Sequence, residues 1–199
     1  IALLAIKCLH ELQHDDTMKS VCSKFLAAED GELYLEKLNI TPADSEAFFE
    51  FLRNSKNLKR LTFDYFRIQG NYSYIKMVKS LLNNPTNSII SLTFLGYFTT
   101  QSVEYLSEAL KGENCKLTSL NLSGHVITDQ GVEYLSEALK SENCELTSLN
   151  LKNDGITDLD FENLSRDIMS KNCRQTASHL ARSRITNQGV EYLSDALKS

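Results

Sequence analysis

The chain has 199 residues, 42% of them hydrophobic, with 21 basic and 26 acidic side chains and a net charge of −5. That length and apolar content suffice for one continuous core. A membrane-spanning helix is excluded because no apolar run reaches about 18 residues. The acidic balance argues against nucleic acid as a general partner, since phosphate neutralisation needs a basic surface.

Residues 1 to 30 read as two short amphipathic helices. IALLAIKCLHELQ places Leu4, Cys8, Leu9 and Leu12 on one face, and MKSVCSKFLAA does the same with Met18, Val21, Cys22 and Phe25. A secretory leader does not fit: the apolar run stops at Lys7, no basic region precedes it and no small-residue cleavage site comes after it. The segment is expected to cap the first edge of the domain that begins near residue 31, or to join that domain to something upstream. His10 and His14 are one helical turn apart, a metal-ligand spacing, but no third ligand stands near them. The adjacent pairs Asp15/Asp16 and Glu29/Asp30 read as solvated carboxylates.

From residue 31 the chain repeats itself. LTSLNLSGHVITDQGVEYLSEALKSENCE, starting at Leu117, is followed 29 residues later by LTSLNLKNDGIT, starting at Leu146. Leucines spaced L-x-x-L-x-L at a period of about 20–29 residues mark stacked strand-plus-helix units, each burying its core against its neighbours. About six units are expected across 31–199, starting near Leu35, Leu58, Ile89, Leu117, Leu146 and Gln175. Their second and third core positions are Leu38/Ile40, Leu61/Phe63, Leu92/Phe94, Leu120/Leu122, Leu149/Leu151 and Ser178/Leu180. The last strand is degraded, yet RITNQGVEYLSDALK (Arg184 to Lys198) nearly copies VITDQGVEYLSEALK (Val126 to Lys140). The chain opens on Ile1 and closes as its last helix finishes, which suggests a piece of a longer protein.

Within a unit the periodicity switches. Leu120 and Leu122 alternate with Ser119, Asn121 and Ser123, as a half-buried strand requires. Val132, Leu135, Ala138 and Leu139 then recur at helical spacing, with Thr128 or Asp129 available as the amino-terminal cap. Short strands packed on the inside and wider helices on the outside force an arc. The expected fold is an α/β solenoid, a horseshoe with parallel strands on the concave face and helices on the convex face.

Cys115, Cys144 and Cys173 recur at steps of 29, so they occupy one position in successive turns. Zinc sites use short paired spacings and disulfide frameworks irregular pairs. Neither pattern is present, and small thiols filling the helix-to-strand turn are expected. Free thiols point to the reducing environment of the cytoplasm.

The unit LTSLNLSGHVITDQGVEYLSEALKSENC resembles the ribonuclease-inhibitor type of leucine-rich repeat. The leading helices LLAIKCLHELQ and MKSVCSKFL resemble the segment that joins the nucleotide-binding half of NOD-like innate immune receptors to their repeats. The resemblance implies a carboxyl-terminal ligand-sensing or autoinhibitory domain of a cytosolic receptor. No Walker motif G-x-x-x-x-G-K-[ST] occurs in these residues. The sequence departs from that repeat type where the family places an asparagine, three residues after the third core position. Phe66, Tyr97, His125, Asp154 and Ser183 stand there instead. His125 or Asp154 can take over the hydrogen bonding of the turn. Phe66 and Tyr97 cannot, so irregular loops are expected in units two and three.

No enzyme, cofactor or metal centre is expected. The four histidines (His10, His14, His125, His179) fall in different units, and no nucleophile motif such as G-x-S-x-G is present. The alternative is binding. The residues between the buried strand positions, from Lys37 and Asn39 through Arg60, Thr62 and Asp64 to Ala177 and His179, should face the concavity. In units four and five that face is small and polar. Units two and three add aromatics, and the candidate contact residues are Arg60, Asp64, Tyr65, Arg67, Tyr72, Tyr74, Tyr97 and Phe98. Against this stands a plainer account, in which the aromatics fill the gap left by the missing asparagines. Lys56, Lys59, Arg60 and Arg67 form a basic patch that reads as a solvated repeat edge. The pairs Glu104/Tyr105, Glu133/Tyr134 and Glu191/Tyr192 should pack between helices.

The partner would be a protein, a microbial ligand or the upstream domains of the same receptor, and the open ends of an arc allow an edge-to-edge dimer. The alternative is a stand-alone regulator on the same scaffold, such as a nuclease inhibitor or an activator of a small GTPase. The latter would need an arginine such as Arg60 or Arg67 on a loop rim.

Overall fold

Alternating apolar residues make the strands, and a parallel pair of strands requires a crossover between them. Both demands are met in the computed structural model, which describes residues 31–69, 74–96, 98–125 and 129–150. The strands β1 (Glu32–Glu36), β3 (Arg60–Asp64), β5 (Ser91–Leu95), β6 (Ser119–Asn121) and β7 (Ser148–Asn150) form one parallel sheet in chain order. Two-residue strands β2 (Asn39–Ile40) and β4 (Arg67–Ile68) pair in parallel just beyond it. The crossovers run through α1 (Pro42–Asn54), α2 (Tyr74–Leu82), α3 (Thr100–Leu110) and α4 (Asp129–Lys140), and each helix packs on the next.

The register stacks like on like. Leu33, Leu61, Leu92, Leu120 and Leu149 stand opposite one another in successive strands, and Leu35, Phe63 and Phe94 form a second buried row. Helix α1 adds Phe48, Phe49 and Phe51 to this core, α2 adds Ile75, Val78, Leu81 and Leu82, and α4 adds Leu135, Ala138 and Leu139. Helix starts are set by side-chain caps. Thr41 Oγ1 accepts from the Asp44 amide at 3.1 Å with Pro42 opening the helix, and Thr99 Oγ1 accepts from Ser102 at 3.2 Å.

The helix-to-strand turns are stitched to the preceding unit. Asn114 and Asn143 each donate an amide hydrogen to a carbonyl one unit back, at Asn83 (3.2 Å) and Lys111 (2.9 Å). Beside them lie Cys115, buried, and Cys144, half-buried, both free thiols in this turn as their spacing suggested. Burial pushes the Cys115 thiol up to about 11, which keeps it protonated and unreactive at neutral pH. Tyr105 packs against the core with the Lys76 ammonium 5.2 Å above its ring. The leading helices, Cys173 and the unit from Gln175 lie outside the described residues.

Two expectations are corrected. In the first unit Leu33 and Leu35, not Leu38 and Ile40, pair with Leu61 and Phe63. The segment LYLEKLNI alternates in both phases, and the sheet selects the earlier one because Gly31 O receives the amides of Lys59 (2.8 Å) and Arg60 (3.1 Å). The second correction concerns unit two, whose turn is regular over its described part, residues 65–69. Phe66 occupies the same column as Leu38, and both are buried. The amides there bond between turns, Arg67 N to Leu38 O and Gln69 N to Ile40 O, each at 2.8 Å. Packing and ladder bonds replace the side-chain amide. The corresponding position of unit three, Tyr97, is outside the described residues.

Candidate partner-binding face of the sheet

Because strand side chains alternate, the residues between the buried rows share the other face of the sheet. The pairing register arranges them in three lines. Glu32, Arg60, Ser91, Ser119 and Ser148 form the first, and Tyr34, Thr62, Thr93, Asn121 and Asn150 the second. The third is Glu36, Asp64 and Leu95. From β5 onward the first two lines are small and polar. The β1–β3 end is charged and aromatic.

At that end the side chains hold one another. Arg60 forms an ion pair with Glu32 on the neighbouring strand. The Tyr34 hydroxyl donates to Asp64 Oδ2 at 2.6 Å, and this bond to the carboxylate raises the tyrosine above its ordinary value. Just past the strands the backbone turns left-handed at Lys37 (φ 51°), Tyr65 (φ 50°), Gly96 (φ 109°) and Gly124 (φ 81°). These four occupy equivalent positions in successive units. Two units use glycine, the usual residue for this conformation, whereas the second unit places an aromatic there. A Cβ at Gly96 would come within 3.1 Å of Tyr65 Cδ1, so the bare glycine makes room for the tyrosine ring. Tyr34 and Tyr65, at 54% and 51% exposed, are the most exposed large apolar side chains among the described residues.

The eight residues singled out from the sequence therefore part ways. Asp64 and Tyr65 lie together at the carboxyl end of β3, whereas Arg60 opens that strand beside Glu32, and Arg67 is exposed on β4. Tyr74 opens α2 and contacts Phe63 (5.1 Å between ring centroids) and Phe66 (5.2 Å); burial pushes its hydroxyl well above the ordinary tyrosine range. Phe98 packs on Phe94 at 4.8 Å and against the core. Tyr72 and Tyr97 lie outside the described residues. Three face residues, Glu32, Tyr34 and Glu36, escape a reading that starts the first unit at Leu35. The signal was present: Tyr34 stands 28 residues before Thr62, the step that separates Ile89 from Leu117.

His125 supplies the turn hydrogen bond that its position requires. It is buried, its Nε2 lies 2.9 Å from the Phe94 carbonyl, and its ring lies 5.2 Å from Phe98. Since a carbonyl only accepts, Nε2 carries the proton. His125→Phe keeps the ring but strands that carbonyl, and a loss of about 1–3 kcal/mol is expected, read from the urea midpoint at unchanged slope. Among the described residues, no group of three His, Cys, Asp or Glu is placed to hold a metal ion, and no helix is long and apolar enough to cross a membrane.

Comparison with known families agrees with this geometry. Residues 113–136, covering β6 and the first turns of α4, match the family model of the leucine-rich repeat. No curated protein matches the chain. Modules of this kind are typically non-catalytic and generally mediate protein interaction. A parallel sheet in chain order, a helix in every crossover and the matched segment at residues 113–136 together support a leucine-rich repeat domain.

Proposed function

We propose that this domain is a non-catalytic protein-binding module whose binding surface is the open face of the sheet, curved into the concave side of a horseshoe. The observation that carries the reading is the pair Tyr34 and Tyr65. Exposed aromatics backed by ordered neighbours are the usual energetic anchors of protein interfaces, and these two stand at the end of the sheet where the face turns from small and polar to charged. The domain then serves as the ligand-sensing or autoinhibitory region of a cytoplasmic NOD-like receptor. The two leading helices and the repeat type support that assignment through resemblance, and the free thiols Cys115 and Cys144 suit a reducing compartment. The other reading is a free-standing regulator on the same scaffold.

Photo-cross-linking tests the surface. A benzophenone side chain placed at Thr93, in the middle of the sheet face, should capture a protein partner in cells, whereas one at Gln101, exposed on α3, should not. Capture from Gln101 alone would sink the assignment of the face. The receptor reading is tested by the encoded sequence upstream of Ile1. A Walker motif followed by helical domains supports it, and a start codon directly before Ile1 leaves the free-standing regulator.

A further inference from the structure

The third line of the sheet face sets two carboxylates side by side. Glu36 and Asp64 are register partners on adjacent parallel strands, and the alternation of both strands sends their side chains to the exposed face. Adjacent strands are about 4.8 Å apart, and like charges directly opposite one another are destabilising. The neighbouring cation does little to relieve them. Lys37 lies 3.4 Å from Glu36, but both side chains are more than half exposed, a setting in which ion pairs contribute little. No cation pairs with Asp64 among the described residues.

The surroundings are built for more than charge. The Tyr34 hydroxyl orients Asp64 through Oδ2, leaving Oδ1 for another donor. Tyr65 is next in the chain, its ring settled against Gly96. Leu95, the register partner of Asp64 on β5, continues the line with a half-buried apolar side chain. Paired carboxylates, flanking aromatic rings and an apolar neighbour are together the complement of a guanidinium on a methylene stem.

We propose that this end of the sheet is a receptor site for an arginine side chain of the partner protein, with Asp64 and Glu36 receiving the guanidinium, Tyr34 and Tyr65 flanking it, and Leu95 covering the stem. The inference rests on the sheet face being the binding surface and adds the chemistry of what it binds. A planar fork suits the two carboxylates better than a lysine ammonium, which offers one point charge.

The test uses the chain with an acetylated tetra-arginine amide and the same peptide with citrulline replacing arginine. Citrulline keeps the shape and removes the charge. Saturable binding of the arginine peptide, measured by fluorescence anisotropy at low salt, should weaken at least about tenfold in Asp64→Asn. Glu113→Gln, which removes one exposed negative charge in a distant turn, should stay within about twofold, the effect of a remote screened charge. Tyr34→Phe removes the orienting hydroxyl and should also weaken binding. Thermal midpoints of the variants verify folding. Equal binding of the citrulline peptide, equal losses in Asp64→Asn and Glu113→Gln, or no binding of the arginine peptide would each overturn the site. A partner still captured from Thr93 in the Asp64→Asn chain would sink the arginine site while leaving sheet-face binding standing. Absence of capture from Thr93 in the unsubstituted chain would instead count against the underlying reading.

Discussion

Phe63→Ala is expected to lower the unfolding free energy by about 3–5 kcal/mol, the usual cost of truncating a buried phenylalanine. Phe63 is fully buried at the centre of the second core row. Its ring stacks on Phe94 at 5.4 Å with planes 7° apart, meets Phe66 edge-on at 5.2 Å and also contacts Phe49 and Tyr74. These neighbours come from α1, β5, α2 and the turn after β3, so the cavity cannot close by moving one element. Because each unit is stabilised chiefly by its neighbours, the damage should spread along the chain. Hydrogen exchange should accelerate at β1 and β5 together. Unchanged protection on both sides, or a loss under about 1 kcal/mol, would show that the aromatic row is not the structural centre.

Gly31→Ala should be nearly as damaging although it only adds a methyl group. Gly31 is left-handed at φ 71°, which costs an alanine about 1–2 kcal/mol. The new Cβ would also lie 2.3 Å from the Asn57 carbonyl oxygen, a backbone atom that cannot swing aside. Overpacking of that kind adds about 1–3 kcal/mol. The site is also where Gly31 O takes the Lys59 and Arg60 amides that set the β1–β3 register. Gly124→Ala is the control: φ is 81° but no atom lies within 4 Å of the added Cβ, so about 1 kcal/mol is expected from conformation alone. Equal denaturation midpoints for the two variants would contradict the steric part of the argument.

Much of this architecture is legible in the leucines. From Leu58 onward, the positions Leu61/Phe63, Leu92/Phe94 and Leu120/Leu122 read from spacing are all buried. The role of His125 was also readable, since a histidine in a column that wants a side-chain hydrogen bond has one obvious use. Phe66 shows where that reasoning stops. A missing donor suggested a broken loop, yet the amides of Arg67 and Gln69 found carbonyls on the neighbouring unit and the ring went into the core. Local sequence names which groups need partners, and it is silent about partners about 28 residues away.

The candidate face divides along the same line. Arg60, Asp64 and Tyr65 could be named because they come next to an unambiguous leucine pair. Tyr34 and Glu36 were missed, because Leu33, Leu35, Leu38 and Ile40 offer two phases of one alternation and only the 28-residue step to Thr62 favours the right one. A shift of phase reassigns every exposed residue. By itself the sequence determined the repeat period, the switch from strand to helix within each unit and the buried rows, all of which arise from local periodicity. Only the tertiary structure decided the register of the first strand, the inward turn of Tyr74 and Phe98, and the meeting of Tyr34 with Asp64. Those depend on backbone pairing and packing between units, which no single stretch of chain encodes.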